Sequence, residues 1–238
     1  MLKVDGISKQ YNKKTVVDNI TFNVEKNRIL GIIGPNGSGK TTTLQMITGI
    51  VNIEQGDCTY EDISLKKNPQ KYKRKIAFIA DDLNLYENLL GKEYVDFICK
   101  LWGAKNNYRE KMRELAQMLN MVEQLDSFIS TYSKGMKQKI AFIAALSHEP
   151  NLLILDEPFN GLDPETLINL KEFLIDYSRK GNSVIFSSHL LDTVEKICTD
   201  IIMIKDGKVV YESSVNQTNQ KEFIEIEQLY NNLLNERG

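Results

Sequence analysis

The stretch that decides the fold of this chain reads Gly34-Pro35-Asn36-Gly37-Ser38-Gly39-Lys40-Thr41. A short apolar run at 28–33 precedes it, and residues 41–50, TTTLQMITGI, have the spacing of a helix that closes near Gly49. Glycines let successive backbone N–H groups converge on phosphate oxygens, and the positive end of the following helix faces the same anion. The stretch therefore predicts a buried strand, a phosphate-binding loop and a helix in direct succession.

The match to the phosphate-loop pattern G-x-x-x-x-G-K-[ST] is complete, because every fixed position between 34 and 41 is occupied. The alternative is an ordinary glycine-rich turn, but residue frequencies place a chance match in well under ~1% of chains of this length. We therefore predict that the chain binds ATP or GTP. Lys40 is expected to reach the β- and γ-phosphates, and the hydroxyl of Thr41 is expected to ligate Mg²⁺.

Two adjacent carboxylates, Asp156 and Glu157, follow the apolar run at 152–155. The carboxyl end of a buried strand is where ligands bind in open α/β sheets. We expect Asp156 to hold Mg²⁺ through a water molecule bound to the ion. Glu157 is expected to act as the general base that orients a different water molecule, the one that attacks. Such a pair alone is a weak indication of function, but together with the phosphate loop it predicts a hydrolytic site.

Short apolar runs alternate with helical patterns through much of the chain, which favours an α/β fold with a mostly parallel sheet. The runs at 29–33, 76–80, 152–155 and 183–186 are the expected strands. Between about 83 and 129, apolar residues recur at helical spacing instead, which predicts a helical insert of roughly 45 residues.

The two ends of the chain have other patterns. Alternating apolar positions in LKVDGI and ITFNV, split by YNKK, predict short β-strands within the first thirty residues. Residues 201–211 are typical of a β-hairpin, and the polar tail contains an amphipathic helical pattern at 223–234.

Composition and charge exclude several classes of protein. A hydrophobic content of 42% and a charged content of 26% are typical of globular domains. With 30 basic and 32 acidic residues, the net charge of −2 gives no electrostatic reason to expect nucleic acid as a partner. No segment approaches the ~20 apolar residues of a membrane span, and the first residues lack the apolar core of a signal peptide. The three cysteines are scattered, as reduced thiols are, so we expect a soluble, cytoplasmic protein.

Five motifs make the chain resemble the nucleotide-binding subunits of ABC transporters along nearly its whole length. GPNGSGKTT is similar to the Walker A motif, residues 152–157 resemble Walker B, and residues 159–164 resemble the D-loop. Ser187-Ser188-His189 follows a strand as the switch histidine of the family does. The stretch 132–139, YSKGMKQK, resembles the ABC signature LSGGQ and its basic, glutamine-bearing continuation, an element that other P-loop ATPases lack.

Three positions depart from the family pattern. Lys134 stands in place of a glycine and Met136 in place of the glutamine, while Ser133 and Gly135 remain. Asp81 takes the place of the Q-loop glutamine. This carboxylate adds negative charge beside phosphate, yet it can still approach Mg²⁺ or the attacking water.

The resemblance implies an α/β fold: a P-loop NTPase core with a mostly parallel sheet, an N-terminal antiparallel β subdomain and an α-helical insert. It also implies one ABC ATPase domain over 1–238. Within it, the RecA-like/β core covers 1–82 and 136–215, the helical signature subdomain 83–135, and the C-terminal helical tail 216–238.

The resemblance further assigns an ATPase site that uses ATP and Mg²⁺. Catalytic roles are implied for Glu157, His189, Lys40 and Asp81, and Mg²⁺ binding for Thr41, Asp156 and Asp81. ATP contacts are implied for Tyr11, Asn36, Gly37, Ser38, Gly39, Lys40, Thr41, Thr42, Ser133 and Gly135. For Tyr11, which stands where the family's adenine-stacking aromatic occurs, the alternative is a residue that simply ends a strand.

The implied function is that of a motor subunit at the cytoplasmic face of the cell membrane. ATP would close two ATPase subunits, identical or different, head to tail, and a separate transmembrane permease would move the substrate. The acidic Q-loop and YSKGMKQK resemble exporter-type cassettes of drug, peptide and bacteriocin-immunity systems. The groove for the permease is expected to use some of Leu85, Tyr86, Tyr94, Phe97 and Trp102, others being core of the insert. The alternatives are a soluble ABC ATPase acting on ribosomes or DNA, which predicts two cassettes or a long coiled coil, and a regulatory cassette.

Overall fold

The computed structural model describes residues 1–104, 107–189, 191–215 and 220–235. Its strands are β1 (Leu2–Tyr11), β2 (Lys14–Val24), β3 (Ile29–Ile33), β4 (Gln55–Tyr60), β5 (Ile63–Ser64), β6 (Ile76–Ile79), β7 (Leu152–Asp156), β8 (Ser183–Ser188), β9 (Asp200–Lys205) and β10 (Lys208–Ser214). One sheet has four strands in the order β2-β1-β4-β5, and the other has six in the order β10-β9-β3-β8-β7-β6. The four-stranded sheet is antiparallel, whereas only the β9–β10 pair is antiparallel in the six-stranded sheet.

Helices cover both faces of the larger sheet and form most of the insert. They are α1 (Lys40–Ile47), α2 (Pro69–Lys73), α3 (Gly91–Leu101), α4 (Tyr108–Met118), α5 (Lys134–Ser147), α6 (Pro164–Arg179), α7 (Leu191–Ile197) and α8 (Gln220–Asn235). Two short 3₁₀ turns, at Glu123–Asp126 and Ile129–Thr131, lead from α4 to α5. No helix in the described ranges is long and apolar enough to cross a membrane.

The larger sheet separates two hydrophobic cores. Strands β3, β7 and β8 are buried along their whole length, which explains the apolar runs at 29–33, 152–155 and 184–186. Side chains alternate between the faces: Ile32 packs with the core under the antiparallel sheet, and Ile33 packs with the core under the helices of the insert. The sheet is thereby fixed on both sides, and its strand ends provide a rigid base.

The carboxyl ends of four parallel strands lie at one edge of this sheet. In the pairing register, Ile33 of β3 lies beside Ser188 of β8, Asp156 of β7 beside Ser187 of β8, and Ile79 of β6 beside Leu155 of β7. Segments that follow these strands therefore meet at one place although they are far apart in the sequence.

The α/β architecture predicted from the sequence, with its antiparallel subdomain and helical insert, is confirmed. Strand β4 and helix α2 were not predicted, because QGDCTY has weak strand propensity and the five-residue helix PQKYK is too short for a periodic signal. The proposed subdomain boundary at 135/136 falls inside α5, which runs without a break from the signature stretch into the core. The proposed tail contains helix α8, and its residues 216–219 and 236–238 lie outside the described residues. Residues 105–106 of the insert also lie outside them.

Candidate nucleotide-binding and catalytic site

The phosphate loop connects β3 to α1 and depends on glycine at two positions. Gly37 and Gly39 have φ angles of 75° and 108°, in the left-handed region that other residues rarely adopt. At Gly39 a side chain also has no room, because a Cβ atom would lie 2.7 Å from the carbonyl oxygen of Val16. The loop therefore brings the chain tightly round to the N-terminus of α1, and the N-terminus of a helix favours an anion.

Two polar side chains inside the loop indicate a phosphate ligand. The ammonium group of Lys40 is buried and donates to the carbonyl oxygens of Gly34 and Pro35, at 2.7 and 3.3 Å. The hydroxyl of Ser38 is buried and has no hydrogen-bond partner among the described residues. A buried hydroxyl without a partner is costly, and a phosphate oxygen in the loop would accept its hydrogen bond.

Asp156 ends β7, and Glu157 follows it in a left-handed conformation with φ of 48°. The Glu157 N–H donates to the Ser187 hydroxyl at 2.9 Å, and the same hydroxyl donates to Oδ1 of Asp156 at 2.6 Å. Oε2 of Glu157 lies 2.8 Å from Nδ1 of His189. The carboxylate pair and the histidine, predicted from separate stretches of sequence, thus form one connected group.

A cavity of about 330 Å³ lies beside this group. Its lining comprises Pro35, Asn36, Asp81, Glu157, Asn160, His189 and Tyr230. Asp81 comes from the segment after β6, and its Oδ1 accepts a hydrogen bond from the Asn160 amide at 3.5 Å. The cavity therefore joins the phosphate loop, the predicted base, the histidine and the acidic Q-loop residue in one space.

Thr41, Thr42 and Tyr11 lie outside the lining of this cavity. Thr41 and Thr42 belong to the first turn of α1, and Thr41 is exposed. Tyr11 is the last residue of β1, 44% of its surface is exposed, and the Lys9 ammonium lies 5.2 Å from its ring centre. Its place at a strand end with an exposed ring fits both interpretations of this residue, so adenine stacking stays a prediction.

Ser133 and Gly135 stand at the N-terminus of α5. Ser133 is the N-cap, and its hydroxyl accepts a hydrogen bond from the Met136 N–H at 3.3 Å. Gly135 lies against the D-loop, since a Cβ atom there would be 3.1 Å from the Gly161 carbonyl oxygen. Ser133 is exposed, and neither Ser133 nor Gly135 lines the cavity. One chain therefore does not bring its signature residues to its own phosphate loop.

Helix α5 is connected to the segment after Glu157 by two polar contacts. The buried amide of Gln138 donates to the Pro158 carbonyl oxygen at 2.9 Å, and Lys139 forms an ion pair of 3.0 Å with Asp163. Asp163 also caps α6, and the hydrogen bonds from Thr166, with Lys139 nearby, hold the pKa of its carboxyl well below its usual range. Two polar contacts thus tie α5 to the chain that follows the predicted base.

Four residues of the site were missed by the sequence reasoning. Asn160, Gln138 and Ser187 stand inside motifs that the sequence shows, so their positions were visible but their contacts were not. Tyr230 comes from α8, where no sequence pattern pointed to the site. Tyr230 and Glu157 line the same cavity, and burial, followed by the charge of Glu157, raises the pKa of this tyrosine.

A strand, a glycine-rich loop and a helix, with an acidic pair at the end of a neighbouring parallel strand, define a P-loop nucleoside triphosphatase. Residues 17–160 match the model of the family described as ABC transporter, and the chain belongs to this family. It is an ATP-binding ABC transporter subunit and an ATPase.

Two relatives with transport or resistance names cover most of the chain. The linearmycin resistance ATP-binding protein LnrL of Bacillus subtilis is 36% identical over 211 residues, which are 88% of this chain and 68% of that protein. The bacitracin transport ATP-binding protein BcrA of Enterococcus faecalis is 32% identical over 222 residues, or 93% of this chain and 71% of that protein.

Solved structures confirm the fold. A structure described as the ATP-binding subunit of an ABC transporter superimposes with a TM-score of 0.91 at 30% identity, covering 98% of this chain and 99% of the other. The cassette MJ0796, in a dimeric post-hydrolysis state with ADP and Pi, superimposes with a TM-score of 0.83 at 24% identity over 91% of this chain and 99% of its own.

Proposed function

We propose that this ATPase is the motor of an exporter and that it acts as a head-to-tail dimer under a separate transmembrane permease at the cytoplasmic face of the membrane. The observation that carries the proposal is the separation of two half-sites in one chain. The phosphate loop, Glu157 and His189 share a cavity, whereas exposed Ser133 lies outside it. A second ATPase subunit supplies the missing half.

In this dimer the ATP of one subunit is covered by the start of α5 from the other. The N-terminus of a helix presents unpaired N–H groups and a partial positive charge, which suit the γ-phosphate. Lys134 is exposed there and adds a full positive charge. Gly135 leaves the backbone open, and Met136 contributes its N–H to the cap, so the replacement of a glutamine at 136 leaves the cap bond intact.

Mg²⁺ fits this site as a companion of ATP rather than as an ion held by protein alone. In the described residues, no group of three or more His, Cys, Asp or Glu is arranged to hold a metal. Hard oxygen donors are nevertheless available from Thr41, Asp156 and Asp81, and Mg²⁺ commonly binds through few protein oxygens, water and phosphates. When bound with ATP, Mg²⁺ would supply neutralisation of phosphate charge. Glu157 would orient the water, and His189, whose Nδ1 lies 2.8 Å from Oε2 of Glu157, would hold this carboxylate and meet the γ-phosphate.

The permease is proposed to dock in a groove of about 390 Å³ next to the Q-loop. Of the five candidates, Leu85, Tyr94 and Trp102 line this groove, and Tyr86 and Phe97 form an exposed edge-to-face pair at 5.3 Å. His148 stacks on Trp102 at 5.7 Å, and burial lowers the pKa of its imidazole to about 4, so it is neutral at pH 7. Apart from Lys73 and Asp82, the groove is lined by uncharged side chains, which suits an apolar helix face.

The proposed substrate is a drug or a peptide, and the proposed direction of transport is export. This proposal is supported by the names of LnrL and BcrA, which concern linearmycin resistance and bacitracin transport, and by the exporter-type resemblance of the acidic Q-loop and signature. The net charge of −2 is consistent with a partner other than nucleic acid.

Purification of the tagged chain from its native cells in mild detergent tests this function. A multi-span membrane protein is expected in stoichiometric amount. Ile50→Glu is expected to lower its recovery at least about fivefold, because Ile50 lines the groove and a buried carboxylate is costly.

Ile168→Glu is the matched control, since Ile168 and Ile50 are 55% and 60% exposed and only Ile50 lines the groove. Equal recovery with both variants contradicts the docking groove. Co-purification of ribosomes or DNA without a membrane protein contradicts the transport function.

Asp81→Gln is expected to lower kcat about tenfold, or about 1.4 kcal/mol in the barrier, without weakening ATP binding. The reason is that glutamine removes the negative charge beside phosphate but also the carboxylate that can serve Mg²⁺ and water. Steady-state ATPase kinetics measure both effects, with Asp82→Asn as the control because it neutralises the adjacent carboxylate. Unchanged turnover in Asp81→Gln would show that the acidic Q-loop has no chemical role.

A further inference from the structure

Ser187 touches both carboxylate residues of the site although no role was assigned to it. It is the penultimate residue of β8, it is 0% exposed, and in the strand register it lies directly beside Asp156. Its hydroxyl donates to Oδ1 of Asp156 at 2.6 Å and accepts from the N–H of Glu157 at 2.9 Å. One side-chain oxygen therefore links two consecutive functional residues.

Other buried serines show that a hydroxyl in this fold does not need such partners. Ser147 donates to the Ile143 carbonyl oxygen at 2.6 Å, and Ser183, on the same strand as Ser187, donates to the Glu25 carbonyl oxygen at 3.0 Å. Each is satisfied by one backbone group. At Ser187 both the donor and an acceptor position are used, and both are directed at the site.

The bond to the Glu157 N–H matters because the backbone there is strained. A φ of 48° is unfavourable for a residue with a long side chain, and such a conformation persists only where the surroundings enforce it. Ser187 supplies an acceptor at the position that this conformation requires. The Glu157 side chain then points to His189, with 2.8 Å between Oε2 and Nδ1.

We propose that Ser187 is a positioning residue, which holds the Asp156 carboxylate and the left-handed backbone of Glu157 in one arrangement and so sets the relative place of the Mg²⁺ ligand and the base. This inference rests on the proposed function, in which these carboxylates serve the ion and the attacking water. A charge-assisted hydrogen bond is short and directional, so it restrains Asp156 more firmly than a bond to a neutral acceptor.

Ser187→Ala and Ser183→Ala form a matched pair, because both remove a fully buried hydroxyl and its hydrogen bonding from the same strand. For Ser187→Ala we expect kcat to fall about 10- to 100-fold while the KM for ATP stays within about twofold. The reason is that the substitution displaces the reacting carboxylates and leaves the contacts that bind ATP in place. For Ser183→Ala we expect kcat within about twofold of the parent. Equal kcat in the two variants overturns the proposal.

Two readouts separate positioning from a general loss of structure. The Mg²⁺ concentration that half-saturates ATP binding, measured with a fluorescent nucleotide and without hydrolysis, is expected to rise about fivefold in Ser187→Ala and not in Ser183→Ala. Ser187→Thr keeps the hydroxyl and is expected to restore kcat to within about threefold, whereas Ser187→Cys keeps the volume with a weak donor and is expected to stay impaired. A threonine variant as impaired as alanine contradicts a role of the hydroxyl.

Comparison of Glu157→Gln with the parent chain separates the proposed role of Glu157 as the base from the proposed role of Ser187. If Glu157→Gln keeps full turnover, the proposed assignment of the base fails. If Glu157→Gln loses turnover and Ser187→Ala keeps it, the base stands and only the role of Ser187 falls.

Discussion

Lys40→Ala is expected to lower the affinity for ATP at least about 100-fold. The buried ammonium lies inside the phosphate loop, where it donates to the carbonyl oxygens of Gly34 and Pro35. With ATP bound, the same donors can turn to the β- and γ-phosphates, and hydrogen bonds to a charged group contribute about 1.5–3 kcal/mol each. Two such bonds correspond to a factor of about 100 or more in the dissociation constant. Titration with a fluorescent nucleotide measures the loss.

The fold is expected to persist in Lys40→Ala, because the substitution removes a buried charge and leaves the glycine-dependent backbone of the loop unchanged. Lys71→Ala, at an exposed position in α2, is the control for loss of a lysine elsewhere. Binding within about threefold of the parent in Lys40→Ala would exclude the loop as the phosphate site.

Glu157→Gln is expected to keep ATP bound and to lower kcat about 1,000-fold. Glutamine has nearly the same shape but cannot accept the proton of the attacking water, and general-base catalysis contributes about 10²–10⁴ to enzymatic rates. Because ATP is then bound but not consumed, the two-subunit form proposed above is expected to accumulate. Phosphate release gives the rate, and size-exclusion chromatography with and without Mg²⁺-ATP gives the dimer.

Glu172→Gln, on the exposed face of α6, makes the same chemical change away from the site and is expected to leave both measurements unaltered. A Glu157→Gln variant that turns over at the parent rate shows that another group is the base. A variant that loses turnover but stays monomeric with ATP separates the catalytic assignment, which then holds, from the dimer, which does not.

The departures at 134 and 136 have a physical account in the structure. The N-terminus of α5 depends on the Ser133 hydroxyl and on the backbone N–H of Met136, so the side chain at 136 is not part of the cap. Gly135, by contrast, faces the Gly161 carbonyl oxygen so closely that a side chain would force the D-loop to shift. Lys134 is exposed and is free to contribute charge at the proposed interface.

Features with a local cause were predictable from the sequence. The glycine-rich loop, the strand before it and the helix after it follow from residues 28–50, because φ requirements and periodicity act over a few residues. The buried strands of the larger sheet were predictable for the same reason, since burial on both faces gives each of them a short apolar run. β4 and α2 lacked such a signal, because their place depends on pairing with β1 and on packing rather than on propensity.

The sequence by itself therefore determined the chemistry that is available: a phosphate loop with Lys40, an acidic pair at a strand end, a histidine and a signature-like helix start. Only the tertiary structure decided how these groups meet. Ser187 reaches Asp156 across 31 residues, Gln138 reaches Pro158 across 20, and Asn160 reaches Asp81 across 79. These contacts arise from the register of parallel strands and from the packing of α5, and both are set by distant parts of the chain, whose spatial relation no local pattern records.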